Sequence, residues 1–174
     1  MVYQVKDGVI SQNYQDYIEE IFTNNFPWYY QSQLAGDDDN TSSFIHMIYH
    51  EDKEWKPPLD DSLIYKSLLF PVLLQSLDMP LQKLLRIRAV MNIKNQTGEY
   101  IPHTDLDAPH FTMLYYVNDS DGPTRFYDHK EGKVIKMVDP KKGRAVIMTG
   151  DTYHASSSPK NHSNRIVLNY NFLV

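Results

Sequence analysis

The chain has 174 residues, 41% of them hydrophobic, and 17 basic against 22 acidic side chains give a net charge of −5; this fits one globular domain and excludes a disordered, collagenous or coiled-coil protein. Cysteine is absent, so disulfides, thiolate metal sites and cysteine nucleophiles are excluded, and any metal must take nitrogen and oxygen ligands. The acidic balance ranks nucleic acid low as a partner. No apolar run approaches the roughly 20 residues of a spanning helix, and the N-terminal residues lack the basic-then-apolar pattern of a secretion signal, so a cytoplasmic protein without a membrane partner is expected.

In chain order, residues 11–22 place Tyr14, Tyr17, Ile18, Ile21 and Phe22 at steps of three and four, which predicts an amphipathic helix capped by Ser11 or Asn13. Residues 28–30 and 44–49 read as strands, separated by a polar loop through Gly36, Asp37, Asp38 and Asp39. A second polar loop covers 51–61 and contains Trp55. Long loops of this kind are often lids or binding loops, and at least one of the two is expected to be mobile or to overhang the mouth of the barrel. Asp61 or Ser62 then caps a helix that runs to about Leu77, kinked or restarted at Pro71. From residue 84 the pattern changes. Short apolar runs at 84–93, 100–105, 110–117, 124–127, 133–138, 145–148, 153–157 and 165–173 alternate with turn clusters. Evenly spaced short strands predict an all-β barrel or sandwich with the N-terminal helices packed on one face. The expected organisation is a single domain over 1–174, with 1–85 as mixed helical support and 86–174 as the core.

The chemistry-bearing residues lie in that second half. His103 and Asp105 sit at i and i+2, on the same face if the segment is a strand, and His154 follows at the start of a later strand. Two imidazoles and a carboxylate can cap one face of a metal ion and leave positions open, the arrangement that suits non-haem Fe(II) oxygen chemistry; the same set suits zinc hydrolysis, and a His-x-Asp triplet alone can be no more than a turn hydrogen bond. Arg165 opens a strand of otherwise buried character, where its charge is costly unless it meets an anion. Thr112, Leu114 and Tyr116 share one face of a neighbouring strand, and the Tyr116 hydroxyl is either a core hydroxyl or a second donor to that anion. His46, His50, His110, His129 and His162 lack the spacing of a ligand set; His110 is the one placed to meet substrate.

Taken together, the segment from Gly98 through Pro102-His103-Thr104-Asp105, then Thr112 through Asn118, Pro140 through Gly143, Tyr153-His154 and Arg165 through Phe172 resembles the Fe(II)- and 2-oxoglutarate-dependent oxygenase superfamily, and within it the prolyl 4-hydroxylase-like branch. The resemblance covers about residues 86–174. It implies an α+β, mainly β fold: a double-stranded β-helix (jelly-roll) barrel. It implies that His103, Asp105 and His154 hold Fe(II), that Arg165 with Tyr116 binds the distal carboxylate of 2-oxoglutarate, and that Thr112 and Leu114 line that pocket. Asn92 is a candidate cosubstrate contact, where a nucleic-acid demethylase branch carries an asparagine. The implied activity is a dioxygenase that consumes 2-oxoglutarate and O2, releases succinate and CO2, and hydroxylates a protein prolyl residue or a small molecule, with ascorbate in support. Asp121-Gly122-Pro123 departs from the family pattern. A non-catalytic cupin-like binding module and a zinc hydrolase on the same His-Asp-His site are the alternative readings.

Overall fold

A computed structural model describes residues 2–32, 41–52, 63–94 and 100–174. Among these, two helices and ten strands follow in the order β1 (Val2–Lys6), α1 (Gln12–Asn24), β2 (Tyr29–Gln31), β3 (Ser43–His50), α2 (Leu63–Ser76), β4 (Lys83–Ile93), β5 (Phe111–Tyr116), β6 (Thr124–Tyr127), β7 (Val134–Val138), β8 (Ala145–Thr149), β9 (His154–Ala155) and β10 (Asn164–Leu173). A seven-stranded sheet has the order β1-β8-β5-β10-β4-β3-β2, and a three-stranded sheet has the order β7-β6-β9. The ladders are antiparallel throughout. This is the expected mainly β jelly-roll, with the first stretch of chain supplying both edges of the large sheet.

Period-two alternation separates two cores. On one face of the large sheet, Met113 and Tyr115 of β5 and Ile166, Leu168, Tyr170 and Phe172 of β10 pack against Ile18 and Phe22 of α1 and Leu69, Val72 and Leu73 of α2. The intervening residues Leu114, Tyr116 and Val167 pack with Val146 and Met148 against Phe126 and Val138 of the small sheet. The helices therefore cover the outer face, and the space between the sheets holds the second core and, as shown below, the polar site.

Helix α1 begins after Ser11, as the spacing predicts, but the Ser11 side chain makes no capping bond; its carbonyl instead accepts the amides of Tyr14 and Gln15. Ile18 and Phe22 are buried while Tyr17 is 53% exposed, so the apolar face is narrower than the sequence suggests. Helix α2 continues through Pro71 without a restart, the missing amide removing one bond of the helix ladder. Its expected caps Asp61 and Ser62 lie outside the described residues, as do 36–40 and 53–60 with Trp55; of the two loop expectations only the flanks are described, where Thr41 is buried and the Glu51 amide donates to Leu85 O at 2.9 Å. No helix among the described residues is long and apolar enough to cross a membrane.

The expected strand at 100–105 is the main correction. Only His103 pairs, in an isolated bridge with His154 through reciprocal N–O bonds of 3.0 Å. Pro102 supplies no amide and restricts the residue before it, so a ladder cannot propagate through this segment. His103 and Asp105 are brought together by the bridge and by the interactions of Asp105, not by a shared strand face. Strand β1, which the sequence reading passes over, completes one edge by pairing with β8.

Candidate active site

The His103–His154 bridge sets two imidazoles side by side, with ring centroids 4.9 Å apart. His103 Nδ1 lies 3.0 Å from Ile101 O and His154 Nδ1 lies 3.0 Å from Thr152 O. An Nδ1–H donated to a backbone carbonyl fixes the tautomer and leaves the Nε2 lone pair for a metal, a common support for ligating histidines. One ligand atom from each of His103, Asp105 and His154 falls within 4.8 Å of the others. Among the described residues no other group of His, Asp and Glu side chains converges in this way.

Asp105 is held from several sides. Its side chain is fully buried. Oδ1 accepts from Arg86 Nη2 and Asn169 Nδ2, both at 2.9 Å; Oδ2 accepts from Thr112 Oγ1 at 2.9 Å and Asn171 Nδ2 at 3.2 Å, and lies 3.9 Å from His154 Nε2. Burial alone would push this carboxyl up, but Arg86, His154, Arg88 and His103 outweigh it and hold Asp105 well below the usual carboxylate range. It is therefore an anion at neutral pH, as a metal ligand must be. The donor set of two imidazole nitrogens and one anionic oxygen fits a divalent transition metal with open positions.

Burial, reinforced by His154, pushes His103 down to about 4 against the pull of Asp105. The sign of the resulting pH effect is definite. The unfolded chain takes up this proton near its ordinary pKa of 6.5, whereas the folded chain takes it up only near 4, so the contribution of His103 to the stability of metal-free protein is nil at higher pH, falls as pH drops between those values, and levels off below. Urea unfolding of metal-free protein across that window is expected to show this decline, and His103→Gln is expected to flatten it.

Arg165 is 2% exposed at the start of β10. Its Nε donates to Gly122 O at 2.7 Å, Nη1 to Asn92 Oδ1 at 3.2 Å and Nη2 to Thr124 Oγ1 at 2.7 Å. These acceptors are neutral: they satisfy hydrogen bonds without cancelling the charge. Burial pushes the guanidinium below its ordinary pKa, with Tyr116 and Tyr100 opposing. The Tyr116 ring lies against the guanidinium, 5.4 Å from Cζ to the ring centroid, and its hydroxyl is 2.7 Å from Thr124 Oγ1. Arg165 and Tyr116 are thus neighbours on one side, not donors facing each other across a ligand-sized gap. A cavity lined by His103, His154, Leu114, Thr124, Arg88 and Arg165 connects Arg165, though not Tyr116, to the two imidazoles.

Two further expectations are corrected. Thr112 does not line that cavity; its hydroxyl is spent on Asp105 Oδ2 and Asn171 Nδ2. Asn92 is fully buried, and beyond Arg165 its amide donates to Ser43 Oγ at 2.9 Å and Tyr100 Oη at 2.8 Å, so it positions the arginine with its hydrogen bonds already committed. The other histidines stay apart from the triad. His129 lies 2.9 Å from Asp128, His162 lies 3.3 Å from Asp121, His50 bonds Asp52, and His46 packs against Phe26 and Tyr65. His110, buried, lines an open cleft of about 520 Å³ together with Thr104 and Tyr153, the sequence neighbours of triad residues.

The departure at Asp121-Gly122-Pro123 has a local function. Asp121 accepts the amides of Lys160 and Asn161 at 3.0 and 2.9 Å, pinning the chain that leads into β10. A Cβ on Gly122 would lie 2.3 Å from Ser157 O and 3.0 Å from Ser158 C, backbone atoms that cannot turn aside. Gly122→Ala is expected to destabilise the fold by about 1–3 kcal/mol through overpacking, read as a lower urea midpoint, and to loosen the carbonyl that holds Arg165 Nε.

The sequence reading missed Arg86, Arg88, Thr124, Asn169 and Asn171. A signal was available: Arg86, Arg88, Val90 and Asn92 occupy alternate positions of β4, and Arg165, Val167, Asn169 and Asn171 alternate positions of β10. Polar residues at period two in otherwise apolar strands mark a polar lining of the interior.

Residues 88–173 match the family model described as the 2OG-Fe(II) oxygenase superfamily, and through these residues the chain belongs to that superfamily. No curated protein matches the sequence. The fold is similar to that of a Trichoplax adhaerens prolyl hydroxylase in complex with a hypoxia inducible factor peptide fragment, at 14% identity and TM-score 0.63 over 97% of this chain and 82% of that one. It is also similar to the Paramecium Bursaria Chlorella virus-1 collagen prolyl hydroxylase in its 2OG complex, at 18% identity and TM-score 0.57 over 100% and 97% of the two chains. HygX from Streptomyces hygroscopicus, with nickel and 2-oxoglutarate bound, aligns at 12% identity and TM-score 0.62 over 97% and 81%. As a member of the superfamily, the chain is an Fe(II)- and 2-oxoglutarate-dependent oxygenase that uses O2.

Proposed function

We propose that His103, Asp105 and His154 are the iron ligands of this hydroxylase and that Arg165, steadied by Asn92, Gly122 O and Thr124, takes the distal carboxylate of 2-oxoglutarate beside Tyr116. The observation that carries this reading is the convergence of the three donor side chains within 4.8 Å beside a cavity whose lining includes a buried arginine with no carboxylate partner among the described residues. A hydrolytic zinc site gives no reason for that arginine, and a passive barrel gives none for four donors on Asp105. Residues 86–174 form the catalytic core, and the first 85 residues support it.

Bound iron supplies oxidative decarboxylation of 2-oxoglutarate to succinate and CO2 coupled to hydroxylation of a substrate C–H bond. The chain's own contribution is positional. The carbonyls of Ile101 and Thr152 aim the two imidazoles, Arg86 with Asn169 and Asn171 holds the carboxylate, and Leu114 supplies an apolar wall. The substrate is a peptide or a small molecule: among proteins of similar fold, one is described in complex with a peptide and another with hygromycin B bound. Succinate formed from 2-oxoglutarate in the presence of Fe(II) and O2 tests the reading. Production by the wild type and not by His154→Ala is expected; no metal-dependent succinate across peptides, amino acids and small carboxylic acids would refute it.

A further inference from the structure

Arg88 contributes its charge to the Asp105 environment but makes no good hydrogen bond within the centre described above. It sits on β4 opposite Asn169 of β10, at the level of the metal-type donors and four residues along the ladder from the Asn92–Arg165 pair, about 13 Å by strand rise. Its side chain is only 14% exposed and lines the same cavity as His103, His154 and Arg165. Its Nε is buried with no hydrogen-bond partner among the described residues. The nearest carboxylate oxygen, Asp105 Oδ1, is 3.8 Å from Nη2, beyond a good hydrogen bond, and that oxygen already accepts from Arg86 and Asn169.

Charge counting gives the same picture. Arg86 and Asp105 offset each other. A divalent metal and a dianionic cosubstrate would offset each other too. Among the described residues, Arg88 and Arg165 then remain without an offsetting charge although both are largely buried, a costly arrangement unless a further anion enters. The Nε–Nη edge of a guanidinium is the fork that receives a carboxylate side-on, and the Nε of that edge in Arg88 has no hydrogen-bond partner among the described residues.

We propose that Arg88 is a second carboxylate-binding residue of this pocket, separate from Arg165, that receives a carboxylate at the metal end of the cavity. This rests on the metal and cosubstrate reading given under Proposed function. The carboxylate has two sources: the 2-oxo acid end of the cosubstrate, or an acidic group on the substrate, which would make the substrate a carboxylic acid.

The test uses Fe(II)-loaded protein without oxygen, comparing wild type, Arg88→Gln and Arg88→Lys. Calorimetric titrations use 2-oxoglutarate and 2-oxovalerate, which keeps the 2-oxo acid end and lacks the distal carboxylate. A third titration adds acetate to the Fe(II)- and 2-oxoglutarate-saturated protein and follows its absorption. If Arg88 holds the cosubstrate, Arg88→Gln weakens both 2-oxo acids tenfold or more. If it holds the substrate, both 2-oxo acids bind as in wild type, and a saturable response to acetate is lost in Arg88→Gln. Arg88→Lys keeps the charge without the fork and is expected to fall between. Should Arg88→Gln fail to retain Fe(II), Arg88→Lys carries the comparison. Variants equal to wild type on all three probes overturn the proposal alone; a wild type that binds neither Fe(II) nor 2-oxoglutarate overturns the Proposed function and this proposal with it.

Discussion

Asp105→Ala is expected to abolish Fe(II) binding and to destabilise the metal-free protein by about 3–5 kcal/mol. Removing one partner of a buried ion pair leaves the other charge uncompensated, and that penalty exceeds the worth of the pair itself. Here the stranded partner is Arg86, 4% exposed, whose remaining bond is from Nε to Asn171 Oδ1 at 2.7 Å. Thr112, Asn169 and Asn171 would lose their acceptor as well. Asp105→Asn keeps the shape and some hydrogen bonds but loses the charge that Arg86 needs, so it is expected to lie between the two. Urea unfolding without metal separates the structural part of the effect from the loss of the ligand. Unchanged stability in Asp105→Ala would mean that the Arg86–Asp105 pair is as weak as a surface ion pair.

Arg165→Lys is expected to weaken 2-oxoglutarate binding by tenfold or more while leaving Fe(II) binding intact. The guanidinium is fixed by three acceptors in three directions, and a lysine ammonium on a flexible stem cannot keep that orientation while presenting a fork to a carboxylate. Tyr116→Phe removes a hydroxyl now bonded to Thr124 and is expected to cost less, about 1 kcal/mol. Calorimetric titration of 2-oxoglutarate into metal-loaded protein measures both. Equal affinities in wild type and the two variants would detach Arg165 from cosubstrate binding.

Much of this was legible in the sequence because period-two patterning is strong in the second half. Residues 124–127 were expected as a strand and are β6, and 84–93 is β4 with its start moved by one residue. The alternation that puts Thr112, Leu114 and Tyr116 on one face was readable; what each does there was not. Thr112 and Leu114 differ in role because Asp105 reaches one and not the other, a tertiary fact. His103 and Asp105 were found through a strand argument that fails at Pro102, yet they converge, since the bridge to His154 replaces the expected ladder. Arg86 and Arg88 were passed over because a charged residue in a strand reads by default as facing water. Their alternation with Val90 and Asn92, all facing Arg165, Val167, Asn169 and Asn171 across one ladder, becomes visible only once β4 and β10 are known to be neighbours.

The most direct test of the account is an oxygen-free titration of 2-oxoglutarate into wild-type protein with and without Fe(II), repeated with His103→Ala and His154→Ala. The account predicts saturable binding that is tight only with Fe(II) present and is lost in both histidine variants. Binding of the same strength with and without metal, or undiminished in the histidine variants, would contradict a metal centre at His103, Asp105 and His154.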